Sequence, residues 1–181
     1  MATVKGRKKT VTIWGIVGTL VITAWLLMPV TQAAAETVKK YKVTSYLTKV
    51  EVIPIVDVKG HIVGIYERRG VAIFEDGEVA AYLTRGTFDY IKGQGSHQGY
   101  SQLTFKDGST NMVKYQGTTT IAPGEKLASI KGKGEYIKGT GRFKGIKGSV
   151  SYSGKLVTPL SKETKGDLVV DIIGTYTLPS Q

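Results

Sequence analysis

The chain has 181 residues, with 25 Lys and Arg against 14 Asp and Glu, a formal net charge of +11 and no cysteine. That length fits a short leader followed by one domain with its own core. Without cysteine there are no disulfides, thiolate metal sites, cysteine nucleophiles or acylated lipobox cysteines, so stability must come from packing and hydrogen-bonded ladders.

Residues 1–35 read as an export signal: Lys5, Arg7, Lys8 and Lys9 give a basic start, an apolar run extends from Val11 to Val30, and Ala33 and Ala35 form an A-x-A pattern. Cleavage is expected between Ala35 and Glu36. The run is nearly long enough to span a bilayer, so an uncleaved anchor made by residues 11–30, with its basic end in the cytoplasm, is the alternative. Either outcome puts residues 36–181 in the periplasm or the medium, with membrane contact through the N-terminal segment only if it stays uncleaved. Trp14 and Trp25 both lie in this segment, and the remainder stays basic. Outside the cytoplasm such a charge meets lipid head groups and acidic glycans, and nucleic acid is not an expected partner. The lysines are dispersed, which also fits a role in discouraging edge pairing of exposed strands.

From Glu36 onward apolar and polar residues alternate with period two, and no i, i+3, i+4, i+7 repeat stands out. Eight strands are predicted, over Lys40–Val58, His61–Glu75, Glu78–Lys92, His97–Lys106, Thr110–Thr120, Leu127–Lys138, Arg142–Ser153 and Gly166–Leu178. Asp76-Gly77 and Asp107-Gly108 read as two-residue hairpin turns. Pro159 and the polar residues from Ser161 to Thr164 mark the longest internal loop. In the sixth strand Ile130, Gly132, Gly134 and Tyr136 share one face, while Lys131, Lys133 and Glu135 share the other. The last strand puts Leu168, Val170, Ile172 and Tyr176 together, with Val169 and Ile173 on the opposite side, where they suggest subunit contacts. An eight-stranded meander leaves open edges unless it closes. The expected fold is therefore an all-β, antiparallel, up-and-down barrel of eight strands, with an interior sized for side chains or one small ligand.

Tyr90, Ile91, Lys92, Gly93, Gly95 and Gly99 recur as Tyr136, Ile137, Lys138, Gly139, Gly141 and Gly145. The glycines are read as supplying positive φ, bulges and close strand packing. Gly139 and Gly141 match the start of G-x-G-x-x-G, but the sixth position is Lys144 and no helix follows, so nucleotide binding is rejected. The run Gly139, Thr140, Gly141, Arg142, Phe143, continuing to Gly145 and Gly148, resembles the G-T-G-x-F segment of the allene oxide cyclase and dirigent barrel superfamily. The ending Gly174, Thr175, Tyr176, Thr177, Leu178 is similar to that group's final strand. The resemblance implies a calycin- or allene oxide cyclase-like eight-stranded barrel, often trimeric in the plant members, whose apolar cavity guides cyclisation or coupling of small hydrophobic molecules. Gly139, Gly141, Arg142 and Phe143 then form a structural turn. The plant cyclases hold an ordered water with polar cavity residues and a nearby glutamate. That set is not placed on this chain, so the activity does not transfer.

No catalytic constellation is legible. His61 and His97, the only histidines, both stand beside turns as expected surface residues, without an acid at metal-ligand spacing, so no metal and no cofactor is expected. No serine sits in a G-x-S-x-G elbow. Carboxylate pairs are conceivable for Glu75 with Asp76 or Glu67 with Asp89. The cavity candidates are the polar and aromatic residues embedded in strands: Glu67, Arg85, Tyr115, Tyr136 and Tyr152. The leading expectation is an exported barrel that binds a small hydrophobic molecule without changing it. A cyclase- or dirigent-like isomerase and a structural, envelope-associated interaction protein are the alternatives.

Overall fold

The computed structural model describes residues 2–3, 35–160 and 164–179, so nearly all of the expected signal or anchor lies outside the described residues. Eight strands are present: β1 Thr37–Pro54, β2 His61–Phe74, β3 Val79–Ile91, β4 Gln94–Phe105, β5 Thr110–Thr120, β6 Ser129–Gly139, β7 Lys147–Leu156 and β8 Leu168–Thr177. Each pairs antiparallel with its neighbour in sequence, and β1 pairs with β8, which closes the barrel. The expected all-β, eight-stranded barrel is thus observed. No α-helix occurs among the described residues.

Turn chemistry departs from expectation. Gly77 (φ +85) and Gly108 (φ +79) alone take positive φ in their hairpins. Each glycine N–H donates to the carbonyl three residues back, on Phe74 and Phe105, and each aspartate, Asp76 and Asp107, accepts from the amide two residues on. These are three-residue loops, a type I turn followed by a left-handed glycine, rather than two-residue primed turns. The primed turn lies between β3 and β4, where Lys92 (φ +52) and Gly93 (φ +81) are both left-handed. The second copy of the near-repeat folds differently. Gly141–Phe143 forms a single 3-10 turn, which delays β7 to Lys147 instead of Arg142.

Strand parity decides what lies inside, since residues directly opposite each other in a ladder point to the same face. One end of the interior is a packed aromatic plug. Tyr41 stacks on Phe74 at 4.6 Å, Phe74 meets Phe105 at 5.7 Å, and Phe105 meets Phe143 of the 3-10 turn at 4.8 Å. The Arg142 guanidinium covers Phe105 and Phe143 at 4.6 and 4.9 Å and pairs with Glu78 and Asp107 at the rim. Val43 and Ala72 have no exposed surface, which fixes this end as the core. The opposite end is taller on one side. Pairing of β1 with β8 stops at Ser45, whereas β1 runs on against β2 to Pro54. A register shift between Leu47 and Lys49 lets Leu47 oppose Arg68 while Val50 opposes Tyr66, so both pairs stay on the inner face.

Candidate functional site

Above the plug the inward side chains keep some accessible surface. Tyr66 and Arg68 of β2, Tyr82, Phe88 and Tyr90 of β3, Tyr115 of β5 and Tyr152 of β7 face inward but remain only half-buried. Val50 and Val52, opposite Tyr66 and Gly64, are 37% and 47% exposed. Inward parity combined with residual accessible surface marks the upper interior, here called the lumen, as incompletely covered, with Val50 and Val52 at its lip.

Glycines make room for its aromatic lining. A Cβ at Gly117 or Gly132 would lie 2.3 Å from the Tyr152 hydroxyl, and one at Gly99 would lie 2.7 Å from that of Tyr115. The rings therefore lie close over bare backbone on facing strands. This packing explains the interior glycines of β4, β5 and β6 better than turn formation does.

The hydroxyls form two chains. Tyr66 and Tyr115 share a hydrogen bond of 2.6 Å, and Tyr115 meets Thr84 Oγ1 at 2.8 Å. Thr84 in turn donates to the Tyr100 carbonyl at 3.2 Å. In the second chain Tyr90 meets Thr119 Oγ1 at 2.7 Å, Thr119 meets His97 Nδ1 at 3.0 Å, and His97 Nε2 meets the Tyr152 hydroxyl at 2.8 Å. Burial pushes His97 down to about 4, so it is neutral at neutral pH. Burial also raises Tyr66, Tyr115 and Tyr152, so these phenols remain protonated and serve as hydrogen-bonding groups. Arg68 is then the one charged side chain among the described residues facing the upper lumen. Its Nη1 donates to the Gly166 carbonyl at 2.8 Å.

Three of the five residues expected to line a cavity face inward. Tyr115 and Tyr152 meet edge to face at 6.0 Å in the upper lumen, whereas Tyr136 belongs to the plug, edge-on to Tyr176 at 5.7 Å. Glu67 and Arg85 do not join them. Both fall on the outer wall by strand parity, opposite each other in the β2–β3 ladder, and form an ion pair of 2.7 Å. Glu67 also accepts from Thr48 at 2.9 Å and Arg69 at 3.1 Å, and these donors, Arg85 first, hold its carboxyl down at about 2. Gly139, Gly141, Arg142 and Phe143 build the turn that seats the plug.

His97 departs from the surface placement expected of both histidines, while His61 keeps to the outer face. His97 is buried in the lumen wall, and His61 bridges Asp57 at 2.6 Å and Asp89 at 2.8 Å. The conceivable carboxylate pairs are not brought together for chemistry: Asp89 opposes Val63 while Glu67 is taken by arginine, and Asp76 pairs with Lys39 in an exposed hairpin turn. Among the described residues no group of His, Asp or Glu is arranged to hold a metal ion. Sequence reasoning missed Tyr66, Arg68, Tyr82, Tyr90 and His97. Two-step alternation from Ala72 and Phe74 along β2, and from Ala80 along β3, leads to four of them.

Two cavities lie near these side chains. One of about 240 Å³ lies in the plug among Tyr41, Phe74, Leu103, Asn111 and Tyr136. A groove of about 1060 Å³ crosses the outer wall, apolar at Val63 and Ile65 and basic at Lys131 and Lys133, with Gly117 and Gly132 in its floor.

No protein-family model and no curated protein matches the sequence. Among solved structures, the chain is similar to the pterocarpan synthase dirigent protein GePTS1, with 14% identity, a TM-score of 0.45, and coverage of 98% of this chain and 100% of that one. A second pterocarpan synthase dirigent protein, PsPTS1, shows 15% identity and a TM-score of 0.45, over 81% and 97% of the two chains. A nonspecific heme-binding cyclase of neoabyssomicin biosynthesis shows 15% identity and a TM-score of 0.39, over 82% and 70%. The barrel assignment itself rests on the strand pairing of this chain.

Proposed function

We propose that this protein is an exported barrel that holds a small hydrophobic molecule in its upper lumen without converting it. One observation carries the reading: the aromatic side chains of Tyr66, Tyr82, Phe88, Tyr90 and Tyr115 face inward yet keep accessible surface. An apolar ligand covering them gains about 25 cal/mol for each Å² removed from water, and the hydroxyl chains offer it a few fixed polar contacts. Export through residues 1–35, with cleavage after Ala35 or anchoring by residues 11–30, belongs to the same proposal. So does assembly of copies into an oligomer such as a trimer.

A cyclase or isomerase is the second reading, and the His97–Tyr152 hydrogen bond favours it. A neutral imidazole joined to a phenol provides one proton acceptor and one donor in a sheltered space. Native mass spectrometry of protein purified from its own host tests both. A retained organic molecule that is released unchanged after incubation supports simple binding. Its conversion to a product supports the cyclase reading, and protein that retains no molecule and takes up no added 1-decanol contradicts both.

A further inference from the structure

Arg68 is a cation inside an apolar, tyrosine-lined barrel, and no carboxylate among the described residues pairs with it. The other strand arginines show the contrast. Arg69 and Arg85, on the outer wall, both engage Glu67. Arg68 has one hydrogen bond, from Nη1 to the carbonyl of Gly166, in the β7–β8 connection. A guanidinium offers five N–H donors in a rigid fork, so one contact leaves most of them available. That contact also orients the group, because Gly166 is buried and its connection is tied to β1 by the Leu47 amide donating to Lys165 at 3.1 Å. Burial lowers Arg68 from its ordinary value, yet an arginine stays charged at any physiological pH. A buried ion of this kind is normally compensated by a partner.

A second group on the same inner face lacks a partner. Ser45, one step along the inner face of β1 from Leu47, is buried, and its Oγ makes no hydrogen bond. Leu47 itself opposes Arg68. A buried donor without a partner costs about 1–3 kcal/mol.

We propose that Arg68 is the anion-recognition group of the lumen and that the ligand is an amphiphile carrying a single carboxylate. This rests on the lumen being the ligand site. The fork geometry suits a carboxylate that accepts two parallel N–H bonds. Charge balance favours a monoanion over a phosphate monoester, because one cation faces the upper lumen and a dianion would bring an uncompensated second charge. The hydrocarbon part then lies along Phe88, Val50 and Val52 toward the open lip.

The test is calorimetric titration of the full chain with decanoate, 1-decanol and decyl phosphate, below any micelle formation. The proposal expects decanoate to bind about tenfold or more tighter than 1-decanol, the effect of hydrogen bonds to a charged group. Decyl phosphate should bind no tighter than decanoate. In Arg68→Gln the preference for decanoate over 1-decanol should vanish while 1-decanol still binds, and the comparison also subtracts any amphiphile taken up by the apolar N-terminal run. Equal binding of decanoate and 1-decanol by the unaltered protein overturns the role of Arg68 and leaves the lumen reading standing. A preference that survives Arg68→Gln does the same, and tighter binding of decyl phosphate overturns the carboxylate assignment. Failure of all three probes to bind overturns the lumen reading and this inference together. Should Arg68→Gln not fold, the comparison of probes on the unaltered protein still decides.

Discussion

His97 Nε2 lies 2.8 Å from the hydroxyl of Tyr152, across the interior from β4 to β7, and Nδ1 of the same ring meets Thr119 at 3.0 Å. Both ring nitrogens are thus used by neutral hydroxyls, and burial without a carboxylate depresses the imidazole to about 4 from near 6.5. His61 is the opposite case, raised by its hydrogen bonds to Asp57 first and Asp89 second.

Proton NMR of the two imidazoles should therefore give one titration well below 6.5 and one above it. For His97 the unfolded chain takes up a proton below about 6.5 that the native state refuses until about 4, so stability falls as pH drops through that window, by on the order of 3 kcal/mol. For His61 the contribution is complete below its unfolded value and is lost as pH rises through its higher folded value. Two coincident titrations near 6.5 would contradict the buried placement of His97.

Gly117→Ala should destabilise the barrel by about 2–4 kcal/mol. The new Cβ would lie 2.3 Å from both the Tyr152 hydroxyl and the Lys131 carbonyl, and the backbone cannot yield as a flexible side chain can. Gly77→Ala, at φ +85 with no neighbour within 4 Å, meets conformational strain alone and should cost about 1 kcal/mol. Thermal unfolding of the two variants distinguishes clash from strain.

Tyr115→Phe removes the hydroxyl between Tyr66 at 2.6 Å and Thr84 at 2.8 Å. Thr84 keeps its bond to the Tyr100 carbonyl, but the Tyr66 hydroxyl loses its partner, for a cost of about 1–2 kcal/mol. Adding Tyr66→Phe should cost little more, because the bond is already gone. Urea unfolding of the double-mutant cycle should show that coupling, and strictly additive losses would mean the hydroxyls act separately.

Arg142→Lys should weaken the plug by about 1 kcal/mol, since a lysine keeps a charge near Glu78 but not the planar cover over Phe105 and Phe143. The exposed ion pairs contribute little and are screened by salt. The loss should persist in about 1 M salt. If salt abolished the difference between variant and parent, the rim charges rather than the stacking would hold the turn in place.

Fold and site were not equally legible. Alternation in β6 identified Ile130, Gly132 and Gly134 as one face and Lys131 and Lys133 as the other, and closure followed from the number of strands without any distant contact being known. Parity relative to the core was not legible in β2 and β3, because Glu67, Arg68 and Arg69 are three successive charges and periodicity cannot say which of them points in. Had Ala72 and Phe74 been used to phase β2, Arg68 would have fallen inside and Glu67 outside. His97 was misplaced for a related reason. It follows a turn in sequence, yet its hydrogen-bond partners, Thr119 and Tyr152, come from β5 and β7, and that proximity exists only after closure. The Asp-Gly turns were recognised as turns, but their loop length depends on the pairing of Phe74 with Glu78 and of Phe105 with Ser109.

Occupation of the lumen by an apolar molecule is tested most directly by following the tyrosine ring resonances during titration with 1-decanol. Tyr66, Tyr82, Tyr90 and Tyr115 line the lumen, whereas Tyr46 and Tyr100 are 41% and 49% exposed on the outer wall and serve as internal controls. The account predicts saturable shifts at the four inner rings with the two outer rings unmoved. Shifts confined to Tyr46 and Tyr100, or no saturable shift at any inner ring, would contradict it.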